Sequence, residues 1–186
     1  MPDKPPQTVV FLSLGSNIGD RLAWLEMAIV QLKQLPQTNW VAVSTVYETS
    51  FVGDVAFPQA NYLNLACELQ TTLAPQQLLA HLLVIEQTCH RQRTVGKRDE
   101  PRTLDIDLIA YGDMVLSMPL LTLPHPRLQD RLFVLTPLLE LPSASRWVHP
   151  ILGKKLSNLK QMVTSSEAQQ IVTPYAEKQL SYPFND

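Results

Sequence analysis

Asp105 and Asp107 stand two residues apart in the run Pro101-Arg102-Thr103-Leu104-Asp105-Ile106-Asp107-Leu108-Ile109. Read as a strand, this run alternates. Leu104, Ile106 and Leu108 point one way, and the two aspartates point the other. On one strand face their Cα atoms lie roughly 6.5–7 Å apart, so both carboxylates reach the same small space. Two adjacent carboxylates repel, and burying either one uncompensated is costly. A positive partner is therefore expected. Arg102 precedes them directly, and Arg91, Arg93, Lys97 and Arg98 lie just upstream. A divalent cation is the other possibility, and oxygen-only ligands with room for water and phosphate suit Mg²⁺. The arginines at 91, 93, 98 and 102 have the makings of a clamp on a polyphosphate, whose charge needs several cations to offset it. An ordinary edge strand with a solvated helix end and loop is the plainer reading of the same residues.

Elements on either side must position these groups. Thr8–Leu14 reads as a buried strand, broken by Gly15-Ser16-Asn17-Ile18-Gly19. Asp20 then caps a helix whose stripe is Leu22, Leu25, Ile29 and Leu32. A second strand is expected over Trp40–Tyr47 and a third over Asn61–Thr71. The third puts Tyr62, Asn64, Ala66 and Glu68 on one face and Leu63, Leu65, Cys67 and Leu69 on the other. Pro75 opens a second helix with Leu78, Leu82, Ile85 and Cys89 as its stripe. The order is β-α-β-β-α-β, which predicts an α+β, ferredoxin-like fold with an antiparallel sheet. C-terminal additions over 113–163 comprise an apolar stretch at 114–123, the turn Pro124-His125-Pro126 and a helix over Phe133–Leu141. Residues 1–163 are expected to form one domain, and the tail 164–186 is given no fixed structure.

The glycine loops of P-loop and dinucleotide folds are absent, so a bound nucleotide must be held by arginines and metal. Phe51, Phe57, Tyr62, Asn64 and Phe133 offer aromatic faces and an amide edge, the parts of a slot for a flat heterocycle. Each of them alone reads equally as core packing.

Composition narrows the classes. A net charge of −2 gives no global field toward nucleic acid or membrane. No segment approaches the roughly 18 apolar residues of a membrane span, and the first seven residues lack a signal-peptide core. Cys67 and Cys89 sit inside apolar patterns and read as core residues. A cytoplasmic protein is expected.

Four stretches in order carry a resemblance. They are Leu14-Gly15-Ser16-Asn17-Ile18-Gly19-Asp20, Asn61-Tyr62-Leu63-Asn64, the Arg102–Ile109 run, and Leu123-Pro124-His125-Pro126-Arg127-Leu128 followed by Arg131-Leu132-Phe133. Together they resemble 6-hydroxymethyl-7,8-dihydropterin pyrophosphokinases over about Val9 to Met162. The resemblance implies transfer of pyrophosphate from ATP to the pterin, with release of AMP, in folate biosynthesis by a monomer. It implies a pair of Mg²⁺ ions at Asp105 and Asp107, with Arg91 and Arg102 on the phosphates and Arg93 and Arg131 nearby. Thr122 and His125 match nucleotide contacts, and Glu86 and Leu108 match positions lining the ATP side. The pterin slot is similar to Thr49, Val52, Tyr62, Asn64 and Phe133. Arg98-Asp99-Glu100 departs from the Arg-Trp-Gly common in that family. Two other classes fit the same sheet: a different two-metal nucleotidyl transferase or cyclase, and a non-catalytic ligand-binding domain.

Overall fold

The computed structural model describes residues 6–51, 59–92, 100–164 and 170–176. Their core is a six-stranded antiparallel sheet in the order β5-β1-β4-β3-β8, with β2 also paired to β4. β1 spans Thr8–Ser16, β2 Thr38–Val43, β3 Tyr47–Thr49, β4 Tyr62–Thr71, β5 Asp105–Tyr111 and β8 Val172–Pro174. A separate hairpin joins β6 (Leu116–Met118) to β7 (Leu121–Leu123). The helices are α1 (Arg21–Leu32), α2 (Pro75–Thr88), α3 (Leu132–Leu138) and α4 (Leu156–Thr164).

Strand alternation sorts side chains onto two cores. On one face, Val10, Leu12 and Leu14 of β1, Leu63, Leu65, Cys67 and Leu69 of β4, and Leu104, Ile106 and Leu108 around β5 pack against α1 and α2. Asp20 begins α1 as the sequence predicts, its Oδ1 accepting the Ala23 N–H at 3.1 Å. Pro75 occupies the first turn of α2, where its missing N–H costs nothing. On the opposite face, Phe11, Ala66, Ile109 and Ala110 pack under α3, α4 and Trp147. Cys67 and Cys89 are both buried and unbridged.

Three features differ from the sequence reading. The strand expected over Trp40–Tyr47 is split into β2 and β3, which pair successive stretches of the same edge of β4. Ser44 bridges the break, its N–H donating to the Ala66 carbonyl and its Oγ accepting the Ala66 N–H, each at 2.9 Å. The helix predicted over Phe133–Leu141 is the shorter α3, ending at Leu138 one residue after Pro137. The tail is not without structure, because β8 pairs with β3 over Val172–Pro174. Pro174 is tolerated there because β8 is an edge strand. Among the described residues no helix is long and apolar enough to cross a membrane.

Candidate active site

The face of the sheet under α3 and α4 is covered at one end and open at the other. Along it, β1 presents Phe11, then Ser13, then Gly15, and the shrinking side chains leave a floor. Pairing places Asn64 of β4 and Asp105 of β5 on either side of Gly15, and Asp107 opposite Ser13. Strands are about 4.8 Å apart, so the Asn64 amide and the aspartates flank a narrow glycine gap. A Cβ at position 15 would lie 2.7 Å from Asn64 Oδ1. Glycine is required there by close approach. Above this floor is a cavity of about 590 Å³.

The carboxylate wall carries opposed fields. Asp105 is paired with Arg91 on one oxygen and with Arg102 on the other, the latter at 2.7 Å. Burial alone would raise the Asp105 carboxyl, but Arg91 and Arg102 outweigh it and hold the group below the usual carboxylate range. Asp107 has weaker partners: Arg131 at 3.3 Å and the His125 ring at 4.0 Å. Burial and the neighbouring Asp105 charge push Asp107 up to about 6. Among the described residues, Asp107 is less compensated by positive charge than Asp105.

His125 is delivered by an irregularity in the sheet. The β1–β5 register slips between Phe11 and Leu12, so that Phe11 faces Ala110 while Leu12 faces Leu108. Ile109 is the extra residue, a bulge. Its carbonyl accepts the His125 N–H at 2.8 Å, which docks the Pro124-His125-Pro126 turn against β5. His125 Nδ1 accepts the Arg127 N–H at 3.2 Å, leaving Nε2 toward Asp107. Burial, with Arg131 and Arg127 adding to it, lowers the His125 pKa to about 4. The ring is neutral at pH 7, a hydrogen-bonding group that adds no charge.

Across the floor, Asn64 Nδ2 donates to Thr49 Oγ1 at 2.7 Å, and both residues are buried. Tyr62 and Phe133 complete that side, with the Arg131 guanidinium 5.4 Å from the Phe133 ring centre. The Asn64 amide and the Tyr62 and Phe133 rings thus line the same side of the cavity. On the other side, Leu79 and Leu83 of α2, Leu108 of β5 and Pro119–Thr122 of the hairpin line an apolar recess.

The cavity therefore brings together Thr49, Tyr62, Asn64, Arg91, Arg102, Asp105, Asp107, Leu108, Thr122, His125, Arg131 and Phe133. Val52 and Arg93 lie outside the described residues. Glu86 does not line the cavity. It is buried beneath the wall, where its Oε1 accepts from the Arg91 guanidinium and from the Ile106 N–H. A carboxylate on the buried stripe of α2 reaches the back of β5 sooner than its front. Sequence reasoning missed Gly15, Leu79 and Leu83 as cavity residues. Leu79 and Leu83 lie four residues apart beside the buried stripe of α2, and this doubling of the apolar face was the signal available.

Among the described residues no group of three or more His, Cys, Asp or Glu side chains is placed to hold a metal. Asp105 and Asp107 supply two hard oxygen donors, so a cation here must complete its shell with phosphate and water. Mg²⁺ accepts that arrangement.

Residues 11–143 match the family model described as 7,8-dihydro-6-hydroxymethylpterin-pyrophosphokinase (HPPK). A Bacillus subtilis 2-amino-4-hydroxy-6-hydroxymethyldihydropteridine pyrophosphokinase is 41% identical over 133 residues, covering 72% of this chain and 77% of that protein. The Aquifex aeolicus protein of the same description is 37% identical over 156 residues, covering 81% of this chain and 89% of its own length. Among solved structures, wild-type Plasmodium falciparum HPPK-DHPS superposes with a TM-score of 0.65 at 13% identity over 86% of this chain. This chain spans 45% of that longer one, and the likeness concerns the fold alone.

Proposed function

The chain belongs to the 7,8-dihydro-6-hydroxymethylpterin-pyrophosphokinase family, and we propose that it transfers pyrophosphate from ATP to 6-hydroxymethyl-7,8-dihydropterin in folate biosynthesis. The observation that supports this reading is the row Asn64–Gly15–Asp105, which sets the Asn64 amide beside a carboxylate pair across a side-chain-free strand position. In the proposed reaction the pterin hydroxymethyl oxygen attacks the β-phosphorus of ATP. The bond from that phosphorus to the α-phosphate oxygen breaks, AMP leaves, and the hydroxyl proton is released.

Thr49, Tyr62, Asn64 and Phe133, with Val52, hold the pterin, the Asn64 amide reading its edge and Phe133 lying against its face. Leu79, Leu83 and Leu108 enclose the adenine, and Thr122 supplies a polar contact at its rim. Arg91, Arg102 and Arg131, with Arg93, draw the phosphates toward β5 and offset charge as the β-phosphorus changes partners. Neutral His125 donates from Nε2 to a phosphate oxygen. Asp105 and Asp107 would hold the two Mg²⁺ ions, which when bound would neutralise phosphate charge and polarise the attacked phosphoryl group. Glu86 keeps Arg91 in place from behind. No covalent intermediate is required, and positioning with charge stabilisation is the main contribution.

On the same reading the sheet is ferredoxin-like, a proposal supported by the order β5-β1-β4 with β2 and β3 on the far edge of β4. Residues 1–163 form one catalytic domain, to which the tail 164–186 lends β8. The enzyme acts as a cytoplasmic monomer. Product analysis tests the function: with ATP, Mg²⁺ and 6-hydroxymethyl-7,8-dihydropterin, the chain should release AMP and form the pterin diphosphate. Release of free pyrophosphate, with AMP joined to an acceptor, would overturn it.

A further inference from the structure

Asn17 lies just beyond β1, 4% exposed, and none of the roles above uses it. Its side-chain Nδ2 donates to Gln59 Oε1 at 3.0 Å. Its Oδ1 accepts the Arg102 N–H at 2.7 Å, and its own N–H donates to the Arg102 carbonyl at 3.1 Å. The two partners are 42 and 85 residues away in sequence. Each continues into a wall of the cavity. Gln59 Oε1 also accepts the Tyr62 hydroxyl at 3.4 Å. The Arg102 guanidinium donates to Asp105 Oδ2 at 2.7 Å. Hydrogen bonds therefore join Tyr62, Gln59, the buried Asn17 amide and the main chain of Arg102, and the Arg102 side chain carries the link on to Asp105.

We infer that Asn17 is a positioning residue that couples the two substrate sites, so that fixing Arg102 on nucleotide phosphates also fixes Gln59 and Tyr62 for the pterin. The inference rests on the proposed function. Asn17 suits the task because one planar amide donates to one segment and accepts from the other, so moving either pulls on the same group. Its backbone bond to Arg102 anchors it on the phosphate side. Among the described residues, its amide N–H to Gln59 is its link toward the pterin side. Coupling of this kind is a free energy shared by two binding equilibria, and it is measured as a ratio of affinities.

The test measures the pterin Kd by calorimetry with and without Mg²⁺ and α,β-methylene ATP, whose methylene replaces the scissile oxygen. In the unaltered protein the nucleotide should tighten pterin binding. In Asn17→Ala that enhancement should shrink by about fivefold or more, with the nucleotide's own Kd changed by less than about twofold. Gln59→Ala should lose the enhancement too, with the Asn17–Arg102 bonds intact. It decides the matter alone if Asn17→Ala does not fold. A merely structural wall residue would weaken pterin binding equally in both conditions and leave the ratio unchanged. An unchanged ratio in the folded variants, or a ratio of one in the unaltered protein, overturns the inference. If the unaltered protein binds neither ligand, the proposed function itself falls and takes the inference with it, a result distinct from lost coupling.

Discussion

Asp105 and Asp107 share one face of β5, yet their surroundings drive them in opposite directions. Two arginines hold Asp105 ionised, while burial and the Asp105 charge press Asp107 up to about 6. The pair is asymmetric before any ligand arrives. Asp105 is organised by the protein, and Asp107 is the carboxylate whose charge is least compensated by it.

The glycine between the two walls gives a steric prediction. In Gly15→Ala the new Cβ falls 2.7 Å from Asn64 Oδ1, and the amide must move. Overpacking of this kind costs about 1–3 kcal/mol. Taken from the pterin slot, that is about a five- to 150-fold rise in pterin Kd, with nucleotide binding little changed. Fluorescence titration of the two ligands separately checks it, and equal weakening of both would point to a general distortion.

Glu86 should matter for stability even though it does not face the cavity. Its carboxylate is buried and serves both Arg91 and the Ile106 N–H. Glu86→Ala leaves that N–H unpaired and takes a carboxylate partner from a buried guanidinium. A loss of about 2–4 kcal/mol is expected. Urea unfolding should show it as a lower midpoint with an unchanged slope.

His149 gives a pH dependence far from the site. The ring is buried against Trp147, and its Nδ1 accepts from the Ile151 and Leu152 N–H groups. Burial lowers its pKa in the folded chain. The unfolded chain then binds the proton more readily, so this contribution is present above the unfolded value near 6.5 and is lost as pH falls below it. His149→Gln should flatten the decline in unfolding free energy between about pH 7 and about pH 5 relative to the unaltered chain. Parallel curves for the two proteins would contradict this.

Much of this arrangement was legible in the sequence because it follows from local periodicity. The alternation through β5 put both aspartates on one face, and the alternation through β4 put Tyr62 and Asn64 together. Asp20 and Pro75 marked their helix starts by their own chemistry. What could not be read depends on distant partners. Ser44 splits a strand by bonding Ala66, and β8 exists only because β3 offers it an edge. The bulge at Ile109 arises from register against β1, and its carbonyl docks the His125 turn beside Asp107. Asn17 reads as a loop residue until Gln59 and Arg102 are seen to converge on it. Glu86 has the spacing of a buried stripe position, and only the packing of α2 on β5 shows which side its carboxylate serves.

The carboxylate pair is the centre of the account, and Asp107→Asn tests it most directly. The substitution keeps size and shape but removes the charge proposed to hold Mg²⁺ against the ATP phosphates. AMP formation from ATP and 6-hydroxymethyl-7,8-dihydropterin should fall by at least about a hundredfold. Mg²⁺–ATP binding should weaken, while pterin affinity and the unfolding midpoint stay near those of the unaltered chain. Near-normal AMP formation by a correctly folded Asp107→Asn protein would contradict the account.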